Sequence, residues 1–162
     1  GSDLLATCRV LATALEREQP DLVLFGQQSS DSDGAVLWAA VADRLRLPVI
    51  SQAAELTIAD GKATVKRQTE FGYDRIEAPL PVVIAVSDAI NEPRYPSLKG
   101  IMGAKRKPQE TLAAGDVGGA AEAKTTVTAV SQPPARGESR RIEDDGNAAS
   151  AIVEFLAEKR LI

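Results

Sequence analysis

The sequence contains no histidine, one cysteine and few aromatic residues: one tryptophan, two tyrosines and three phenylalanines. Histidine is the commonest general base and a favoured zinc ligand, so this chain alone cannot form a histidine-dependent hydrolase triad or a histidine metal site. A lone cysteine, Cys8, excludes an internal disulfide. It lies among apolar residues at helical spacing, a setting that favours a small buried side chain.

Long apolar runs are also lacking, since no stretch approaches the roughly 20 apolar residues of a membrane-spanning helix. The chain does not open on a basic segment followed by an apolar one, as a secretory signal does. These features predict no membrane insertion and a cytoplasmic location, or the mitochondrial matrix if the protein is eukaryotic. The formal net charge of −4 argues against nucleic acid as a partner.

The 162 residues are 44% hydrophobic and 26% charged, which is typical of one globular domain. Apolar residues at helical spacing predict an amphipathic helix over 4–18, with Ser2-Asp3 as its candidate cap. Leu22–Phe25 is a short continuous apolar run, as in a strand that is covered on both faces of a parallel sheet. A second helix is predicted over 35–45, after a polar loop at 26–34.

The period of the apolar residues then changes. Residues 49–58 and 62–69 alternate around Asp60-Gly61, which predicts a β-hairpin. The apolar run Leu80–Val86 predicts a second core strand, and Thr125–Val130 is a possible further strand. Two apolar core strands are fewer than the about five or six of a doubly wound sheet, so either the chain is a fragment or another chain completes the sheet.

The predicted fold is therefore α/β: a partial doubly wound parallel sheet with an antiparallel hairpin and an extended C-terminal arm. Residues 1–112 are expected to form the α/β domain, and 148–162 a C-terminal helix. Between them, 113–147 are rich in Ala, Gly, Pro, Ser and charge, which favours an arm or linker. The C-terminal helix is expected to bury one apolar face: Ile152, Phe155 and Leu156.

The loop 26–34 lies beyond the carboxyl end of a predicted parallel strand, where open α/β sheets place their ligands. Free N–H groups and the positive dipole end at the start of the following helix suit a phosphate group. The expected donors are the N–H groups of four consecutive residues: Gly34, Ala35, Val36 and Leu37. Three hydroxyl side chains could add to them: Ser29, Ser30 and Ser32. The alternative is that Asp31, Ser32 or Asp33 simply caps the helix.

Residues 91–102 read Asn-Glu-Pro-Arg-Tyr-Pro-Ser-Leu-Lys-Gly-Ile-Met, a run of otherwise uncommon combinations. This stretch closely resembles the segment characteristic of electron transfer flavoprotein β subunits. Its surroundings agree, because a strand-like segment at 78–83 precedes it and a basic run at 104–108 follows it. Residues 21–28 resemble the family's strand that enters the nucleotide loop. The family's first third, with three strands, has no counterpart here, which would explain the shortage of strands.

The resemblance implies a flattened α/β domain that pairs with a larger α subunit, which holds most of the FAD. Ordinary members bind AMP as a structural cofactor in the β subunit, and electron-bifurcating members bind a second FAD at that place. The carrier takes electrons from flavin dehydrogenases, such as the acyl-CoA dehydrogenases of fatty acid oxidation, and passes them toward the quinone pool. The chain would then be an electron carrier subunit and not an enzyme, with no catalytic residues and no metal site.

At the nucleotide loop, the resemblance implies contacts from nine residues: Gln28, Ser29, Ser30, Asp31, Asp33, Gly34, Ala35, Val36 and Leu37. This chain departs from the family at one point. The family usually has polar residues, often including glutamine, where this chain has Ala35-Val36-Leu37-Trp38. Only backbone contacts from that stretch therefore carry over.

The loop 92–107 corresponds to the family's recognition loop, in which a leucine inserts into a hydrophobic pocket on the dehydrogenase. The matching residue is Leu98, and an apolar anchor of this kind contributes about 1.5–3 kcal/mol when it is buried. The implied partner contacts are Leu98, Lys99, Ile101, Met102 and Lys105, with Arg106 and Lys107 completing a basic rim. The alternative is that Leu98 tucks into its own domain while the lysines form a solvated face.

Two other classes of function stay open. The chain could be an interaction or regulatory domain that keeps the fold and has lost nucleotide binding, which the apolar Ala35-Val36-Leu37 departure favours. It could also be an adenine-nucleotide-using enzyme of related fold, such as an ATP-using ligase. That enzyme would need a glycine-rich phosphate loop and catalytic residues, and it would leave the 91–102 stretch unexplained.

Overall fold

The computed structural model describes residues 2–118, 123–135, 141, 143–144 and 146–162. The chain divides into two compact units, Gly1–Thr126 and Val127–Ile162. The first unit contains helices α1 (Leu4–Glu18), α2 (Leu37–Leu45) and α3 (Leu98–Ala104), strands β1 (Leu22–Gly26), β2 (Val49–Ala59), β3 (Lys62–Thr69), β4 (Gly72–Pro79) and β5 (Val82–Val86), and 3₁₀ turns at Asp88–Ile90 and Ala114–Val117. The second unit contains α4 (Ala148–Glu158).

The five strands form one sheet in the order β1-β5-β2-β3-β4. Strand β5 pairs in parallel with both β1 and β2, whereas β2, β3 and β4 form an antiparallel meander. This mixed sheet confirms the predicted α/β class and the hairpin at Asp60-Gly61. The sequence prediction missed β4. This edge strand is rich in charged residues and only Ala78 in it is buried, so it lacks the alternation of apolar and polar residues that marks a strand.

Strand β5 is the centre of the core because it has a neighbour on each side and apolar residues on both faces. On one face, Val83 packs with Val23 of β1 and Ala42 of α2. On the other face, Val82 and Ile84 cluster with buried residues of the meander: Ile50, Ala53, Ala63, Val65 and Ala78. The helices therefore cover one side of the parallel strands, and the meander contributes most of the core on the other.

Of the three helices in the first unit, α2 and α3 differ from the sequence prediction. Helix α1 begins where predicted, and Asp3 caps it by accepting a hydrogen bond from the N–H of Ala6 at 2.9 Å. Helix α2 begins at Leu37, two residues later than predicted, with Val36 at its N-cap position. Helix α3 interrupts a segment that was expected to be a long loop, and the Ser97 hydroxyl caps it by accepting from the N–H of Gly100 at 3.1 Å.

Two predictions for the C-terminal part of the chain are wrong. No strand is assigned over Thr125–Val130. No residue of α4 is buried, and Ile152, one of the three side chains expected in its core face, is exposed. Burial of an apolar stripe needs a second surface packed against it, and the described residues of this unit supply none that buries a residue of α4.

One expectation about β1 is corrected. The strand was predicted to be covered on both faces, yet Leu24 is 55% exposed. Strand β1 is the end strand of the sheet, so among the described residues no strand lies beside its outer row of backbone N–H and C=O groups.

That open edge predicts association of the isolated chain through β1. We expect sedimentation of the chain alone to show dimers or larger species, and Leu24→Lys to shift it toward monomer, because a charge on an edge strand opposes pairing. Leu5→Lys is the control, since Leu5 is equally exposed but lies on α1. A wild-type chain that stays monomeric at all concentrations would contradict this prediction.

Candidate functional site

The loop 26–34 follows the carboxyl end of β1 and leads toward α2. Its own polar groups hold its shape. The Ser29 and Ser32 hydroxyl oxygens are 2.8 Å apart, and the N–H of Asp33 donates to the carbonyl of Ser29 at 3.0 Å. The indole N–H of Trp38, in the first turn of α2, donates to the carbonyl of Gln27 at 3.2 Å. The loop is therefore tied to the helix behind it.

The carboxylate of Asp31 carries a negative charge in this loop. Its pKa is lowered, first by the hydroxyl of Ser29 and then by backbone N–H groups of the loop. A phosphate placed directly against this carboxylate would be repelled. A phosphate bound at this loop would therefore lie away from the Asp31 carboxylate.

The start of α2 is open. No side chain caps it, and the Val36 carbonyl accepts from the N–H groups of Ala39 and Ala40, each at 3.1 Å. Leu37 and Trp38 occupy the first helical positions, whose N–H groups have no carbonyl partner within the helix. The alternative that Asp31, Ser32 or Asp33 caps this helix is therefore wrong. Of the predicted donors, only Leu37 belongs to the helix, while Gly34 and Ala35 lie in the loop before it.

A cleft that sequence reasoning missed opens beside this loop. It has a volume of about 790 Å³ and lies near the carboxyl ends of β1 and β5. Six of the residues that line it are Gln27, Gln52, Arg67, Phe71, Ser87 and Asp88. These residues are far apart in sequence and share no motif, so no local signal could have found them.

Two residues that line the cleft, Arg67 and Gln52, have unusual local structure. The Arg67 Nε atom is buried and, among the described residues, has no hydrogen-bond partner. Gln52 has a φ of 57°, at the point where the β2–β5 ladder shifts register. The guanidinium of Arg67 offers a cationic donor, whereas the carboxylates of Glu70 and Asp88 also line the cleft. Gln27 belongs to the loop and also lines the cleft, so the loop and the cleft are neighbours at one edge of the sheet.

The segment that carries the resemblance lies on the surface. Every residue from 91 to 111 is exposed. Leu98 is 81% exposed and occupies the first position of α3, with Ile101 and Met102 three and four residues further along. Residues at this spacing share one helix face. The alternative that Leu98 tucks into its own domain is therefore wrong.

Basic side chains surround this apolar face. Lys99 lies within α3, and Lys105, Arg106 and Lys107 follow it directly. All four are exposed. Leu98, Ile101 and Met102 together with these four residues are called the docking face from here on. The structure thus brings the predicted partner contacts together on one short helix and its C-terminal end.

A mixed sheet, an open helix start at the carboxyl edge of its parallel strands and a surface loop with an exposed apolar face define the chain as a mixed α/β protein. The family model for the electron transfer flavoprotein domain matches residues 1–117. The chain belongs to the electron transfer flavoprotein family.

Curated relatives agree with this family, and two of the three described here are named as its β subunits. The chain is 38% identical over 169 residues to the electron transfer flavoprotein subunit beta of Mycobacterium bovis, covering 100% of this chain and 64% of that protein. It is 40% identical over 156 residues to the same subunit of Syntrophomonas wolfei, covering 96% and 60%. A third relative, the caffeyl-CoA reductase-Etf complex subunit CarD of Acetobacterium woodii, is 36% identical over 171 residues, covering 100% and 65%. The chain thus spans less than two thirds of the length of these relatives.

No helix among the described residues combines the length and the apolar content that a membrane crossing needs.

Proposed function

We propose that this chain works as the β subunit of an electron transfer flavoprotein. It pairs with an α subunit that holds most of the FAD, and it docks the pair onto flavin dehydrogenases such as acyl-CoA dehydrogenases. It takes part in electron transfer as a carrier, in the cytoplasm or in the mitochondrial matrix of a eukaryote. The whole protein contributes protein contacts and a bound nucleotide, and the acid–base chemistry belongs to its partners.

The observation that carries this proposal is the exposure of Leu98 on the docking face. Exposing a leucine to this extent costs solvation free energy, and that cost is recovered when the side chain enters a partner's pocket. The three basic residues at 105–107 favour a partner with an acidic rim and speed encounter with it.

The nucleotide in this proposal is AMP or a second FAD, bound at the loop 26–34 and the start of α2. The support is geometric. The free N–H groups of Leu37 and Trp38 lie at a helix start with no competing side-chain cap, which suits a phosphate. The neighbouring cleft has room for the rest of a nucleotide, with Arg67 as a cationic donor.

A second candidate function is an interaction domain that docks without nucleotide. One observation favours it, because the helix start presents Val36 and Leu37, whose side chains have no polar atom to contact a phosphate. A flavin absorbance spectrum distinguishes the two candidate functions. Mixing the chain with an α subunit and recording flavin absorbance should give a complex with bound flavin if the chain is a carrier subunit. No complex at any tested concentration would favour the interaction domain.

A substitution at Val36 tests the nucleotide site directly. In Val36→Asp, the new carboxylate lies at the N-terminus of α2, where it stabilises the helix by about 0.3–1 kcal/mol and opposes a phosphate at the same N–H groups. We expect weaker AMP binding, measured by titration calorimetry on the complex, and an unchanged or slightly higher Tm. Val36→Ala is the control, since its side chain has no oxygen that could cap the same N–H groups, and it should bind AMP like the wild type. Equal affinities in the two variants would place the phosphate elsewhere.

A further inference from the structure

Two described stretches of the chain, 110–118 and 123–126, lie against α1 and are called the strap from here on. The first contact is at the C-terminal end of the helix. The guanidinium of Arg17 donates to the Glu110 carboxylate at 2.7 Å. The loop 92–107 is called the docking loop from here on. Glu110 lies three positions after its last residue, so this ion pair joins α1 to the chain directly after that loop.

The second contact is at the middle of α1. The 3₁₀ turn Ala114–Val117 packs against the helix, and Val117 is buried at 8% exposure. Gly118 comes so close that a Cβ there would lie 3.1 Å from Thr13 Oγ1 and 3.4 Å from Arg9 Cγ. Its φ is 92°, a conformation that residues with a side chain rarely adopt. Alanine at this position would be strained by the positive φ, and its Cβ would also crowd two side chains of α1.

The third contact is at the start of α1. One carboxylate oxygen of Asp3 caps the helix through the N–H of Ala6, and the other accepts from the backbone N–H groups of Lys124 and Thr125. These bonds lower the pKa of Asp3, with the bond from Ala6 as the largest cause. One side chain thus joins the N-terminal end of the helix to the strap.

The three contacts occur in reverse order along the helix: Glu110 at its last turn, Gly118 at its middle and Lys124 at its cap. The strap therefore runs antiparallel to α1. The other end of the docking loop is fixed by the sheet, because the N–H of Ser87 donates to the carbonyl of Ala53 at 3.0 Å. Between these two fixed points every residue from 91 to 109 is exposed.

We propose that the strap is the positioning element for the docking loop, with Gly118 and Asp3 as the residues that fix it to α1. This inference rests on the proposed docking function. Since residues 91–109 bury little surface of their own, the position of α3 depends on where its two ends are fixed. Releasing the strap lets α3 sample more positions, so docking slows although no residue of the docking face has changed.

The test uses two glycine substitutions at positions that differ in backbone conformation and in surroundings. Gly118→Ala adds a Cβ that is too close to Thr13 and Arg9, at a positive φ, whereas Gly115→Ala adds one that has nothing within 4 Å. Both variants are studied as the full chain in complex with an α subunit. We expect hydrogen exchange of the Lys124 and Thr125 amides to become about tenfold faster in Gly118→Ala only. The rate of electron transfer from an acyl-CoA dehydrogenase should fall severalfold in the same variant, with subunit pairing unchanged.

Asp3→Ser provides a second route if Gly118→Ala does not fold. Serine keeps an N-cap oxygen for α1 but has no second oxygen to accept from Lys124 and Thr125. Faster hydrogen exchange of the Lys124 and Thr125 amides with an unchanged rate of electron transfer would overturn the positioning role. Amides that stay protected in both variants would overturn the anchors themselves. Leu98→Ala separates the strap proposal from the proposed docking function on which it rests. If Leu98→Ala slows electron transfer and Gly118→Ala does not, only the strap proposal fails. If neither variant slows electron transfer, the docking function fails.

Discussion

Replacing Leu98 by alanine should slow electron transfer from a partner dehydrogenase by at least about tenfold, because the lost burial of the side chain is worth about 1.5–3 kcal/mol. The large effect is expected because Leu98 is 81% exposed in the free chain and packs on nothing that the truncation would disturb. The stability of the chain and its pairing with an α subunit should therefore stay the same. The measurement is the second-order rate of flavin reduction, followed over a range of dehydrogenase concentrations.

A matched control is available elsewhere on the surface. Leu5 is a leucine with 62% exposure, and it lies on α1 and not on α3. Leu5→Ala removes the same atoms from a helix of the same unit and should leave the rate unchanged. If both variants transfer electrons at the wild-type rate, Leu98 is not an anchor. If both slow equally, the effect is not specific to the docking face.

The second large effect is expected in the core. Ile84 is fully buried in β5, the strand that pairs with β1 on one side and β2 on the other. Ile84→Ala removes buried methylene and methyl groups and leaves a cavity in the cluster that joins β5 to the meander, so we expect a loss of about 2–5 kcal/mol. That is a large fraction of the roughly 5–15 kcal/mol that stabilises a typical domain.

Thermal or urea unfolding measures this loss, with Ile58→Ala as the comparison. Ile58 is in the same sheet, on β2, but is 43% exposed, so its truncation should cost much less. Similar losses for the two variants would show that β5 is not the centre of the core. Ile84→Ala should slow docking only through partial unfolding, whereas Leu98→Ala should slow it with stability unchanged.

The parts of the fold that were predictable from sequence have a local physical cause. Helix α1 follows from apolar residues at a period of 3.6, and the β2–β3 hairpin follows from alternation around Asp60-Gly61. The succession of strand β1, a polar loop and helix α2, on which the predicted nucleotide site rests, was predictable from the order of apolar and polar segments in the chain.

The parts that were missed depend on contacts or on weak local signals. Helix α3 contains Gly100 and Gly103, and each glycine disfavours a helix by about 1 kcal/mol, so its periodicity was outweighed. Its sequence signal was the capping residue Ser97. The cleft needs Gln27, Arg67 and Ser87 to meet, which happens only once the sheet has formed.

The strap was hidden for the same reason. Residues 113–147 have the composition of an arm, and nothing in that composition shows that Val117 and Gly118 lie against α1. Asp3 was predictable as a helix cap, because that role needs only the neighbouring N–H groups. Its bonds to Lys124 and Thr125 join positions more than 100 residues apart, and no local pattern encodes them.

The most direct test places a reporter beside Leu98. The sequence has one cysteine, Cys8, which is buried, so Lys99→Cys creates a thiol that an environment-sensitive dye can label selectively. In the complex with an α subunit, we predict a saturable change in dye emission when an acyl-CoA dehydrogenase is added. A dye at Thr57→Cys on the meander should not respond. Electron transfer that proceeds while the dye at position 99 stays unchanged would contradict docking through residues 91–107.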